Sequence, residues 1–363
     1  MGAVLSDDDR QLAARLSTGS GPITPAMAAL ARSHRVHLLL AASMTQQEQV
    51  QPYVSELARE LRTAAALDAA REQHLKLLLA ALLGAGIETL LLKGSALAHV
   101  VYAAPHLRPR VDTDMMIRRD TLERAEGVFA AQGWLRPTER EAELSAAQRH
   151  YARSGPAGRI DHLDVHWKIA NPQTFANALT FDELWDRAVR IPALGPGAWT
   201  LCRADALFLA CLHRVAHHDD CLDMLWLWDI HLLSELSDAE RDHFVMLADR
   251  NAMWSVCQRG LELAGALFGT RGMDVLSSRL RERAANQAEP SARFVGRTTQ
   301  METLRADVAA LSRWRDRAAL LAEHVLPSHA YMRSIYPRCP RVLLPLAYAH
   351  RIARGAPKWF RQR

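Results

Sequence analysis

Apolar residues recur at helical spacing in Ser55–Arg62 and again in Leu75–Leu83, and Gly84 and Gly86 close the second run. The pattern then changes. Ile87–Leu92 is a short unbroken apolar run, which predicts a buried strand. Ser95–Tyr102 predicts a short helix, and Pro105 and Pro109 bracket a loop. Val111–Ile117 predicts a strand, Asp120–Gln132 a helix stopped by Gly133, and Asp161–Ile169 another strand. After the Pro/Gly-rich break at Pro192–Pro196 the helical period returns. It predicts helices over Ala204–His217, Leu222–Leu236, Ala239–Asn251, Val256–Phe268 and Thr303–Val325. Gly269–Ser291 is more polar and predicts a looser connection. Alternating strands and helices between two helical stretches imply an α+β fold, with a small mixed sheet flanked by helices. The expected units are a helical region over 1–85, a catalytic sheet domain over 86–198, and a helical domain with a basic tail over 199–363.

The 363 residues, 49% of them hydrophobic, suffice for two or three packed units. Met1–Arg10 carries three consecutive aspartates and no apolar segment, so no secretory signal is expected. The most apolar run, Leu75–Leu92, is broken by Gly84, Gly86 and Glu88, which argues against a membrane span of roughly 20 residues. Five cysteines without a Cys-x-x-Cys pair fit neither a disulfide framework nor a zinc knuckle, and a reducing cytoplasm is expected. The net charge of +5 is spread thinly. Only Arg333–Arg363 is a concentrated basic stretch. Its expected state is a solvated tail, with contact to an anionic surface or a partner as the alternative. A dedicated nucleic-acid binder would show a stronger stripe. Four lysines stand against 41 arginines. A lysine beside a candidate site therefore raises the question of why the wider guanidinium was not used.

The chemistry concentrates in two stretches. In Asp112-Thr113-Asp114, strand alternation puts both carboxylates on one face and Val111, Thr113 and Met115 on the other. Two acids this close repel, and a divalent cation resolves the repulsion. Asp161–Lys168 alternates likewise, with Leu163, Val165 and Trp167 on one face and His162, Asp164, His166 and Lys168 on the other. Beside the first strand, Asp164 would complete a three-carboxylate cluster able to hold two metal ions. Upstream, Lys93-Gly94-Ser95 sits where a strand feeds a helix. Gly94 admits close backbone approach, and Ser95 can cap the helix or donate its hydroxyl. The helix start offers free N–H groups to a phosphate, and Lys93 and Arg108 add positive charge.

These residues resemble the DNA-polymerase-β-type nucleotidyltransferase superfamily. Leu92–Leu97, Tyr102, Arg108, Asp112-Thr113-Asp114 and Asp164-Val165-His166-Trp167 resemble, more narrowly, its bacterial uncharacterised nucleotidyltransferase family. A helix with His213 and His217, followed by Trp226 and Asp229, fits the same pattern. Thr113 departs from the family's usual aliphatic residue between the aspartates, but points away from their face. The resemblance implies Mg²⁺-dependent, or Mn²⁺-dependent, transfer of a nucleotidyl group from an NTP to an acceptor it does not identify, a small molecule, a peptide or a protein. Asp112, Asp114 and Asp164 would be catalytic metal ligands, and Lys93, Gly94, Ser95 and Arg108 would grip the nucleotide. Rival expectations are a tailoring enzyme moving another phosphate-linked group, for example from a sugar nucleotide, and a catalytically silent binding module. His213 and His217, one helical turn apart, read first as a hydrogen-bonded histidine pair at a domain interface near the sheet; the alternatives are lining the acceptor or nucleotide pocket or, with His218, Asp219 and Asp220, binding metal. His166 orients a carboxylate, touches a phosphate or fills the pocket wall. Trp226 and Trp228 read as core.

Overall fold

A computed structural model describes residues 5–44, 52–137, 142–155, 158–270, 273–296 and 298–360. Four helices precede the sheet: Asp7–Thr18, Pro25–Ser33, His37–Ala42 and Pro52–Gly84. The last is one continuous helix of 33 residues, not the two separate runs its apolar pattern suggests. Leu75, Leu78, Leu79 and Leu82 recur at the spacing that keeps one face buried, and Gly86 at φ 66° turns the chain out of it.

The sheet has six strands. They are β1 (Leu90–Leu91), β2 (Asp112–Met116), β3 (Gln148–Ser154), β4 (Ile160–His166), β5 (Val189–Arg190) and β6 (Trp199–Thr200), in the order β3-β4-β2-β1-β6-β5. β2 runs parallel to β4 and antiparallel to β1, so the sheet is mixed and the fold α+β, as the alternation of elements implies. The last strand falls just beyond residue 198, so the helical stretch that follows starts from the sheet itself.

Strand alternation divides the core in two. Leu91, Met115, Leu163, Val165 and Tyr151 face the long helix and the helix Leu122–Ala131, in one apolar cluster. Leu90, Leu92 and Met116 face the other way, into a second cluster. That cluster is built largely from the N-terminal helices and from Arg203–His218, Met224–Leu233, Asp238–Asn251 and Trp254–Phe268. Met116 lies on the same strand face as Asp112 and Asp114. The helical bundle therefore seals the far end of that face and leaves a cleft over the carboxylates.

Several elements differ from expectation. β3 was hidden because six of its seven residues are at least partly exposed and only Tyr151 is buried, so no apolar alternation marks it. Gly269–Ser291 contains a helix, Met273–Asn286, anchored by Leu276 and Leu280 one turn apart. Thr303–Val325 is two helices, Gln300–Ala310 and Trp314–Val325. The tail is not an unstructured extension, since it forms His329–Ile335 and Leu344–Trp359; residues 361–363 lie outside the described part. No helix among the described residues is long and apolar enough to cross a membrane.

Candidate active site

The register of two strands makes the site. Parallel pairing of β2 with β4 sets Asp114 directly opposite Asp164 and Asp112 opposite His162. Asp112 and Asp114 share a face by alternation, so all three carboxylates belong to the open face of the sheet. They line a cleft of about 390 Å³ between the sheet and the helical bundle, with Lys93, His213 and Trp226 among its walls.

Their environments differ. Asp114 is buried, and burial opposes its ionisation. Lys93 Nζ at 2.8 Å and His166 Nε2 at 2.8 Å, both on Oδ1, outweigh that cost and hold the carboxyl well below the usual range. Asp112 goes the other way: burial, then the charges of Asp114 and Asp164, push its carboxyl up against the weaker pull of Lys93. Asp164 accepts from Gln148 Nε2 at 2.7 Å and contacts His150 Nδ1 at 2.8 Å. His150 Nε2 in turn meets His162 Nδ1 at 3.1 Å, so a line of imidazoles leads away from Asp164.

The turn before the helix Lys93–Val100 carries strain. Lys93 has φ 48°, a left-handed conformation uncommon outside glycine. That twist accompanies the placement of its ammonium on Asp114. Gly94 lines the cleft, and it also packs closely on a side chain: a Cβ there would fall on the Arg108 guanidinium. Ser95 is buried and its Oγ donates to the Asp112 carbonyl at 3.3 Å, so it ties the helix start to the carboxylate strand.

Arg108, expected to add charge against a triphosphate, lines the cleft with its guanidinium held on a carboxylate. It is buried, and its Nε and Nη2 both bind Asp229, with Nε–Oδ1 at 2.9 Å. Tyr102 Oη donates to the same carboxylate at 2.7 Å. Burial and Asp229 push the Tyr102 hydroxyl well above its ordinary value, so it remains a donor. The trio fastens the segment before β2 to the helix Met224–Leu233 and thereby sets one side of the cleft.

Comparison with known families adds one finding. The family model described as uncharacterised nucleotidyltransferase matches residues 24–269. The chain belongs to this family. No curated protein matches it. The matched stretch takes in every side chain of the cleft described above, from Lys93 through Asp229.

In this nucleotidyltransferase family member the histidine helix Arg203–His218 roofs the cleft. His213 Nε2 meets His218 Nε2 at 3.1 Å, while His213 Nδ1 and His217 Nε2 have no hydrogen-bond partner among the described residues. Burial and the facing Lys93 ammonium keep both neutral, with His217 pulled down to about 3. Asp220 does not join them, because its carboxylate is buried against Arg214 and Arg259. Among the described residues the side chains close enough to share an ion in the cleft are Asp114, Asp164 and His166, with ligand atoms within 4.8 Å of one another. Trp226, expected in the core, stands on the cleft wall: His218 packs on its ring at 3.9 Å, and Arg35 lies over it at 4.7 Å. Trp228 does pack against the core, edge-on to Phe268. Sequence reasoning missed Gln148 and His150 because their strand has one buried residue and no apolar alternation. The only signal was their place before the Asp164 strand at hairpin distance.

Proposed function

We propose that the cleft carries out metal-dependent transfer of a nucleotidyl group from an NTP to an acceptor hydroxyl or other nucleophile, releasing pyrophosphate. The observation that carries this reading is the register of β2 on β4, which sets Asp164 against the Asp112–Asp114 face beside the Lys93 turn. The donor set fits Mg²⁺ or Mn²⁺. It consists of hard carboxylate oxygens, and burial followed by the charges of Asp114 and Asp164 pushes Asp112 up against the pull of Lys93. Asp114 and Asp164 would hold an ion, Asp112 on the same strand face would join them as a further ligand when the ion binds, and His166 orients Asp114. When bound, such ions supply positive charge to the triphosphate and to the oxygens at the reacting phosphorus.

The residues divide the remaining work. Lys93 and the N–H groups opening its helix face the phosphates, where a helix N-terminus favours negative charge. Ser95 holds that turn against β2 and acts as a positioning residue. Arg108 fixes the cleft through Asp229 and contributes its charge from behind Gly94. Asp164 takes the acceptor proton as the acceptor oxygen bonds to the α-phosphorus. The bond from that phosphorus to the oxygen bridging α and β breaks, and pyrophosphate leaves with the electron pair. His213, His217 and Trp226 present neutral polar and aromatic surface to the organic part of a substrate.

The label position tests the reaction. Incubation of the protein with Mg²⁺ and NTP labelled at the α-phosphate should move label to an acceptor in a cell lysate. Transfer of γ-label instead would mean a kinase, and transfer of the sugar from a sugar nucleotide would mean a tailoring enzyme. Calorimetry that finds no binding of any NTP or sugar nucleotide, with or without metal, would favour a silent module.

A further inference from the structure

A second cavity, of about 450 Å³, lies where the helix His37–Ala42, the long helix Pro52–Gly84 and the segment before β2 meet. It shares Arg108, Pro109 and Arg110 with the carboxylate cleft, so the two spaces stand on either side of one stretch of chain. Pro109 is three residues from Asp112, at most about 11 Å along an extended backbone. We propose that this cavity binds an oxyanion, phosphate or carboxylate, carried by the acceptor of the transfer reaction, with Arg71 and Arg159 as its principal contacts. The inference rests on the nucleotidyl-transfer reading of the neighbouring cleft.

The lining is strongly cationic. Among the described residues of the lining, Arg59, Arg71, Arg108, Arg110 and Arg159 stand with two acids, Glu60 and Asp68. The acids are already engaged, Asp68 by Arg110 and Glu60 by Arg32. Arg108 is spent on Asp229. Among the described residues Arg71 makes one hydrogen bond, from Nη1 to the Arg110 carbonyl at 2.9 Å, and neither it nor Arg159 has a carboxylate partner. Positive charge is therefore in excess along a lining that runs from buried Arg108 through half-buried Arg71 to exposed Arg159. Burial and Arg159 lower the Arg71 guanidinium, and burial with Arg71 and Arg108 beside it pulls Arg110 down to about 10. His37 adds a buried Nδ1 without a partner among the described residues. A guanidinium fork matches the paired oxygens of phosphate or carboxylate, and a bound oxyanion would relieve the crowding. The triphosphate is the poorer occupant, because the carboxylates that would share its metal ions are in the other cleft. Arg71 is also within electrostatic reach of Asp112, so an anion seated there is close to the reacting end of the site.

The test uses the full chain and two probes, inorganic phosphate and succinate, titrated calorimetrically in metal-free buffer. Phosphate is then repeated against protein saturated with MgATP. The comparison protein is Arg71→Gln/Arg159→Gln, whose melting curve confirms its fold and whose MgATP affinity is measured separately. One probe should bind at a single site, and its identity tells a phosphorylated acceptor from a carboxylate one. Binding should survive saturation with MgATP and weaken at least about tenfold in the double variant, with MgATP affinity unchanged. Displacement of the probe by MgATP, equal binding by the variant, or no binding of either anion would overturn the proposal. Absence of MgATP binding to the unsubstituted protein would strike the transfer reading instead, and the nucleotide-free titration separates the two failures.

Discussion

Lys93 is the cation paired with Asp114 in the cleft, and Lys93→Met removes it while keeping most of its apolar stem. At an effective dielectric constant of about 20, its 2.8 Å pair with Asp114 is worth about 6 kcal/mol of gross attraction. The repulsion of Asp114 by Asp164, with ligand atoms up to 4.8 Å apart, is about 3 kcal/mol on the same scale. Attraction therefore wins in the unsubstituted protein, and repulsion is left uncovered in the variant. Breaking a buried pair costs about 3–5 kcal/mol. Two effects soften this. Lys93→Met releases a strained left-handed backbone only if the turn relaxes, and His166, held down by burial and by Lys93, takes up a proton more readily. A net loss of about 3 kcal/mol is expected in EDTA, which lowers the melting temperature by roughly 5 °C for a chain of this size. A divalent ion should replace the lost charge, so millimolar Mg²⁺ or Mn²⁺ should raise the variant's melting temperature more than that of the unsubstituted protein. Thermal melts followed by circular dichroism, with EDTA and with each metal, measure both quantities. A variant that melts with the unsubstituted protein in EDTA, or that gains nothing extra from metal, would refute the electrostatic account of the cleft.

Other perturbations separate support from chemistry. Ser95→Ala removes one hydrogen bond to the Asp112 carbonyl and should cost about 1 kcal/mol, lowering label transfer less than tenfold because the helix N–H groups remain. Arg108→Lys should behave nearly as badly as Arg108→Ala in urea melts, about 3 kcal/mol or more, since an ammonium cannot reproduce the paired contacts to buried Asp229. His217, pulled down to about 3, is neutral in the fold while an unfolded histidine titrates near 6.5. The unfolded chain therefore binds the extra proton between those values, so this stabilisation is complete above about pH 6.5 and is lost as pH falls toward 3. The melting temperature should drop from pH 7 to pH 5, and His217→Gln should flatten that slope; an unchanged slope would contradict the burial of His217.

The carboxylate face was legible because strand alternation is a strict period of two and the three aspartates sit on apolar, recognisable strands. The helices after Pro196 were legible from their period as well. What escaped was set by tertiary contact. Gln148 and His150 lie on a strand with one buried residue, and β5 and β6 are two residues each, too short to show any period. The packing of Gly94 against Arg108 shows in no local pattern either. The sequence separation of Arg108 from Asp229 hides that pairing from any local pattern. Trp226 misled because its helix is apolar all round, and only packing decides which side of it meets the cleft.

The central claim is that Asp112 acts on the reacting phosphate and is not merely structural. Asp112→Asn keeps the size of the side chain and removes a charge that burial and two neighbouring carboxylates already oppose. Its melting temperature in EDTA should equal or exceed that of the unsubstituted protein. Transfer of α-phosphate label from an NTP to a lysate acceptor, at matched protein and Mg²⁺ or Mn²⁺ concentration, should fall at least about a hundredfold, the scale of losing a transition-state charge contact. Transfer at the unsubstituted rate by the folded variant would contradict the assignment and leave the carboxylate trio a structural feature of the sheet.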